Sequence, residues 1–162
     1  MTFSEALHVI QLGDSDHPDL LREAVVVMES GTDVESAYWA GFAHYHYADE
    51  FGLEGGALAF VRRVIALEPE KLSYRFLLMC ALFEEGQWPE AAGQAKWVQR
   101  HSSADDWRVA EMYLTAAQIE AVVAFKAGAE ETVIEAVLQL WEVADERFGA
   151  TAPCEIHERP WQ

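Results

Sequence analysis

Pro69 to Arg100 reads PEKLSYRFLLMCALFEEGQWPEAAGQAKWVQR, and this stretch decides the fold because it divides into two helical runs about one turn. In the first run Leu72, Phe76, Leu77, Leu78, Met79, Cys80, Ala81, Leu82 and Phe83 are apolar on nearly every side, as in a helix packed on two flanks. Glu84-Glu85-Gly86-Gln87 stops it, since a glycine adopts the left-handed conformation that ends a helix without steric cost. The second run starts near Trp88, with Pro89 accommodated in the first turn and Glu90 favoured by the helix dipole. Ala91, Ala95 and Val98 follow at i, i+4 and i+7. Small residues on that stripe allow close approach, so the spacing predicts an αα-hairpin.

A shift of 34 positions lays Phe42 on Phe76, Glu50 on Glu84, Gly52 on Gly86, Ala57 on Ala91 and Val64 on Val98. These matches fall on packing and turn positions. A helix-turn-helix unit of that period, with a turn glycine, a small residue early in the second helix and a proline after it, is the pattern of tetratricopeptide (TPR) repeats. Gly86 with Ala91, and Gly52 with Ala57 and Pro69, hold those places, so the chain resembles the TPR superfamily over residues 36–101. Where the family carries a small residue in the first helix, this chain has Tyr45 and Met79. The resemblance implies an all-α fold: about seven helices in antiparallel hairpins stacked as a right-handed α-solenoid.

Half of the 162 residues are apolar, enough for one domain with its own core. The expected domain spans 1–149, with a leading helix over 18–31, repeats over 33–68 and 70–101, and a divergent repeat or cap over 105–149. Residues 150–162, TAPCEIHERPWQ, read as a loosely held tail. With 28 acidic and 11 basic residues the net charge is -17, which argues against nucleic acid and against an anionic membrane surface. The same imbalance favours basic or apolar partners. Two cysteines, Cys80 and Cys154, imply no disulfide framework, and the opening MTFSEALHVIQLGD has no basic n-region, so a cytoplasmic setting is expected.

Phe3, Leu7 and Ile10 have near-helical spacing, which predicts a short helix docking on the body. Asp16 is the expected N-cap of the helix beginning at Pro18, and helix is preferred to strand for Val25-Val26-Val27 because no second strand is available to pair with it. Asp33 or Thr32 caps the next helix, ESAYWAGFAHYHYADEF, the most aromatic part of the chain, expected to end at Gly52. Its partner carries Ala57, Val61, Val64 and Ile65. Beyond the central hairpin, WRVAEMYLTAAQIEAVVAFKA predicts a helix from Trp107 to Gly128, about two turns longer than a repeat helix, paired with a helix over 131–148.

By the resemblance, the first helix of each repeat lines a concave groove, which assigns Trp39, Phe42, His46 and Asp49 in one repeat and Ser73, Phe76, Cys80 and Phe83 in the next. Such a groove suits a peptide with two or three apolar anchors. The competing reading makes Phe76, Cys80 and Phe83 ordinary core. Relatives that grip a C-terminal carboxylate use Lys, Arg and Asn at these places, and none occurs here. His44 and His46 diverge on a helix and His46–Glu50 is a single i, i+4 pair, so no metal and no cofactor is expected. No nucleophile elbow, phosphate loop or dinucleotide fingerprint appears, and no enzyme is expected.

The expected function is therefore a non-enzymatic chaperone or adaptor holding an apolar or basic segment of a protein or peptide partner. Its acidity, leading helix and apolar groove resemble the TPR chaperones of type III secretion translocators. The alternatives are a homo-oligomeric scaffold, which makes a homodimer possible, and a metal-dependent sensor or enzyme.

Overall fold

In a computed structural model the described residues are 1–13, 17–48, 56–106 and 108–128, with positions 135 and 139. Among them every regular element is an α-helix: α1 (Phe3–Leu12), α2 (Pro18–Ser30), α3 (Val34–His46), α4 (Ala57–Leu67), α5 (Leu72–Glu84), α6 (Trp88–Arg100) and α7 (Ala110–Lys126). The expected turn at Gly52, the groove position Asp49, the tail, and the helix over 131–148 apart from positions 135 and 139 lie outside the described residues. The chain forms two compact units, Met1–Leu77 and a second from Leu78, with the border inside α5.

The first unit is built on locally encoded helix ends. Thr2 opens α1 with a capping box: its hydroxyl accepts the Glu5 N–H at 3.3 Å and the Glu5 carboxylate accepts the Thr2 N–H at 2.7 Å. Gly13 closes the helix at φ 59°, donating to the Val9 carbonyl. Helix α2 starts with Pro18 at N1 and His17 at the N-cap position without a side-chain bond; Asp16, the cap expected from sequence, is outside the described residues. The valine run is helical, with Val25 buried at 1% and Val26 exposed at 59%. Its neighbours α1 and α3 offer apolar helix faces rather than a strand edge, and tertiary packing overrides β propensity.

Asp33 caps α3, accepting the Ser36 N–H at 2.9 Å and the Ser36 hydroxyl at 2.6 Å. The helix ends at His46, short of the Gly52 terminus expected, with the Tyr47 N–H on the Ala43 carbonyl. Ala6, Ile10, Leu21, Ala24, Val25, Met28, Ala40 and Ala43 make the core between α1, α2 and α3. A smaller cluster, Ala37, Val64 and Tyr74, joins α3, α4 and the start of α5. The Tyr47 hydroxyl donates to the Ile10 carbonyl at 2.8 Å, tying α1 to the far end of α3.

The two bonds from Ser36 hold the Asp33 carboxyl below its ordinary value. A carboxylate depressed in the folded state contributes stability above its unfolded pKa and loses it as pH falls through the folded value. Asp33→Ala is therefore expected to lower the melting temperature at pH 7, with the gap to wild type closing below about pH 4. Thermal melts of both proteins between pH 7 and pH 2 check this; a constant gap would contradict it.

In the second unit Leu78, Met79, Cys80, Ala81 and Leu82 are all buried, as the apolar run predicts. Gly86 ends α5 at φ 72°, its N–H on the Phe83 carbonyl and the Gln87 N–H on the Leu82 carbonyl, a Schellman motif. In α6 the residues Ala91, Ala95 and Val98 are each 0% exposed. Helix α7 packs on α6, with Gln99 Nε2 donating to Glu120 at 2.7 Å. It begins at Ala110, after a turn in which Arg108 is held by the Asp106 carboxylate at 2.7 and 2.9 Å; the expected first residue, Trp107, lies outside the described residues. At 17 residues it exceeds the 13-residue helices α3, α5 and α6 by about one turn, not two. The 34-residue spacing reappears in burial, since Ala57 and Ala91, Val61 and Ala95, and Val64 and Val98 are all core residues.

Candidate functional site

Helix α3 turns its small residues inward. Ser36, Ala37, Ala40, Gly41 and Ala43 are its buried positions, whereas Tyr38, Trp39, Phe42 and Tyr45 are half-buried and His46 is exposed. Close packing explains the arrangement. A Cβ on Gly41 would stand 2.7 Å from Val61 Cγ2 of α4, so the backbones of α3 and α4 approach too closely for a large residue between them. The rings are thereby left half-buried on the flanks of the helix, Trp39 and Phe42 at the edge of the α1–α3 core and Tyr38 against the Ala37, Val64 and Tyr74 cluster.

There they touch one another. Trp39 and Phe42 meet edge to face with centroids 5.2 Å apart, Phe42 and His46 lie 4.1 Å apart, and Tyr38 meets Trp39 at 5.2 Å and 74°. Trp39, Phe42 and His46 thus form a line of rings along α3 at the i, i+3, i+7 spacing inferred from sequence. Partial loss of water beside the neighbouring rings lowers the pKa of His46 below its ordinary value. Tyr38 also reaches across to α5, with its ring centroid 4.9 Å from that of Tyr74. Burial, then the nearby Tyr74 phenol, pushes the Tyr38 phenol above its usual range.

Beside this pair of tyrosines lies an open cleft of about 580 Å³, lined by Asp33, Val34, Glu35, Tyr38 and Trp39 from α3 and its cap, and by Glu68, Lys71, Ser73 and Tyr74 around the start of α5. Three carboxylates and one ammonium edge an aromatic wall. The Lys71 ammonium sits 4.1 Å from the centre of the Tyr74 ring and donates to the Tyr74 hydroxyl at 2.7 Å. The hydrogen bond to Tyr74, assisted by the charges of Glu68 and Glu35, holds the lysine pKa above its ordinary value. Lys71 is fully charged at neutral pH.

Of the residues assigned to a groove from sequence, Trp39 and Ser73 line this cleft and Phe42 and His46 continue the ring line. Phe76 is half-buried in the first unit; Cys80 and Phe83 belong to the second, Phe83 half-buried and Cys80 only 1% exposed, which leaves its thiol no surface to offer a partner. Sequence reasoning missed Tyr38, Tyr74, Lys71 and the carboxylates Asp33, Glu35 and Glu68. The signal that was available is the i, i+3 spacing of Lys71 and Tyr74, which places a cation beside a ring.

His44 and His46 diverge. His44 Nε2 lies 2.6 Å from Glu29 of α2, and its ring stacks on Phe60 of α4 at 5.3 Å, so it serves the packing of α2, α3 and α4. Among the described residues no three His, Cys, Asp or Glu side chains are grouped to hold a metal, and no helix is long and apolar enough to cross a membrane. Compared with known protein families, with curated proteins and with solved structures, the chain matches none.

Proposed function

We propose that the chain is a non-enzymatic binding protein, acting in the cytoplasm as a chaperone or adaptor, whose first unit holds a segment of another protein against the ring face of α3 and the adjoining cleft. The single observation that carries this reading is the inversion of α3. A helix that packs through alanine, glycine and serine leaves Trp39 and Phe42 only half-buried at the edge of the core, with ring surface still open to another protein. Aromatic residues are favoured anchors at protein interfaces; full burial of a large apolar side chain is worth about 1.5–3 kcal/mol, and completing the burial of a half-buried ring recovers part of it. The TPR-like repeat spacing supports the same role, because solenoids of helix pairs present their leading helices to partners.

A random peptide display library, selected on the intact protein, tests this. Selected peptides are expected to lose at least about tenfold in affinity against Trp39→Ser, given the interface contribution of a tryptophan anchor. Because Trp39 and Phe42 also pack against the α1–α3 core, the comparison is made on variant proteins whose circular dichroism matches wild type. Peptides that bind Trp39→Ser and Phe42→Asp as tightly as wild type would overturn the proposal.

A further inference from the structure

The cleft already contains a cation on an aromatic face, and that cation is the chain's own. Lys71 is exposed and lies just before the first residue of α5, while its ammonium rests over the Tyr74 ring. Around it Asp33, Glu35 and Glu68 supply three negative charges against its single positive one. Asp33 keeps its charge through the cap bonds to Ser36, and Glu68 and Glu35 lie close enough to act on the lysine electrostatically. The cleft thus combines the half-buried rings of Tyr38 and Trp39, a Tyr74 ring only 4% exposed beneath Lys71, excess negative charge and about 580 Å³ of open space, a volume in the range of small-ligand sites.

We infer that this cleft is a subsite for an arginine side chain of the bound segment, whose guanidinium displaces Lys71 and stacks among Tyr38, Trp39 and Tyr74 with Glu35 and Glu68 at its edge. The inference rests on the protein-binding reading above and specifies the chemistry of one anchor. A guanidinium is favoured over an ammonium because it is planar, weakly hydrated and able to stack on a ring while its edge donates to carboxylates. The chain's charge of -17 draws such a segment in over longer range. Lys71 acts as a competitor tethered in place. It screens the carboxylates in the empty protein and is released to solvent when the arginine enters, so its removal strengthens binding rather than weakening it.

The test titrates the intact protein with N-acetyl-arginine methylamide, and with N-acetyl-citrulline methylamide as the neutral isostere, following the Trp39 indole and the Tyr38 and Tyr74 ring resonances by NMR. The arginine probe is expected to shift all three saturably and the citrulline probe to leave them in place. Lys71→Met is expected to tighten the arginine probe by about twofold to fivefold, the range of an exposed cation–π contact, and Glu35→Gln with Glu68→Gln to weaken it by a similar factor. Both carboxylates are on exposed residues, so their loss leaves the fold intact. Equal shifts from citrulline, no shift from arginine, or an unchanged arginine Kd in Lys71→Met would overturn the inference. The broader reading fails separately: peptides that need Trp39 but contain no cation would end the arginine subsite and leave protein binding standing, whereas a library without Trp39-dependent peptides ends the protein-binding reading while the titration still judges the subsite.

Discussion

Ile10→Ala is expected to lower the free energy of unfolding by about 2–5 kcal/mol, the range for truncating a fully buried aliphatic side chain that leaves a cavity. Ile10 is 0% exposed and sits in the cluster with Leu21, Ala24, Val25, Met28, Ala40 and Ala43. Its own carbonyl accepts the Tyr47 hydroxyl, so the residue fixes α1 against α3 by packing and by a backbone contact together. The alanine variant keeps the carbonyl and loses three carbons of packing, which isolates the first contribution from the second. Urea unfolding followed by circular dichroism measures the loss. A change below about 1 kcal/mol would mean that α1 does not dock, since only exposed or loosely held positions tolerate such truncation so well. Leu7→Ala, at a half-buried position of the same helix, is expected to cost less.

The second large effect comes from glycine to alanine at two helical positions, and the sign is expected to differ between them. At Gly41 the added Cβ meets Val61 Cγ2 at 2.7 Å, with Phe60 Cβ at 3.4 Å and the Val61 nitrogen at 3.5 Å behind it. Val61 is β-branched and 1% exposed, so neither the methyl nor the backbone has room to retreat. Overpacking of this kind costs about 1–3 kcal/mol, against at most about 1 kcal/mol gained from replacing glycine in a helix. At Gly93, exposed on α6, a Cβ meets nothing within 4 Å, and only the gain remains. Gly41→Ala should therefore lower the urea midpoint and Gly93→Ala raise it. Equal stabilisation by both would show that α3 and α4 do not approach as described. Because α3 carries Tyr38 and Trp39, the Gly41 variant should also shift their NMR ring signals.

Much of the helical framework was legible because it is written in neighbouring residues. The stop at Gly86, the cap at Asp33, the start at Trp88 and the inward stripe Ala91, Ala95, Val98 all depend on contacts within a turn or two. A helix start was missed where a side-chain bond within the preceding turn is not shown by the apolar period. Helix α7 starts at Ala110, after the turn in which Asp106 holds Arg108. Tyr45 fills the place where the repeat pattern has a small residue, and the close approach of α3 and α4 lies one turn earlier, at Gly41.

The candidate site divides in the same way. Its ring line could be read as a helical face, since Trp39, Phe42 and His46 share a stripe whatever surrounds them. Helical geometry alone determined that, as it determined the helices and the turn between α5 and α6. Which stripe is covered and which is left half-open was decided only by tertiary structure, because it depends on α4 reaching Gly41 through Val61 and on α1 and α2 taking Ala40 and Ala43. The cleft was decided there too, since Tyr38 meets Tyr74 across 36 residues of chain, bringing Glu35, Glu68 and Lys71 to one place. Spacing along a sequence fixes the face a residue occupies; only the packing of distant segments fixes what that face meets.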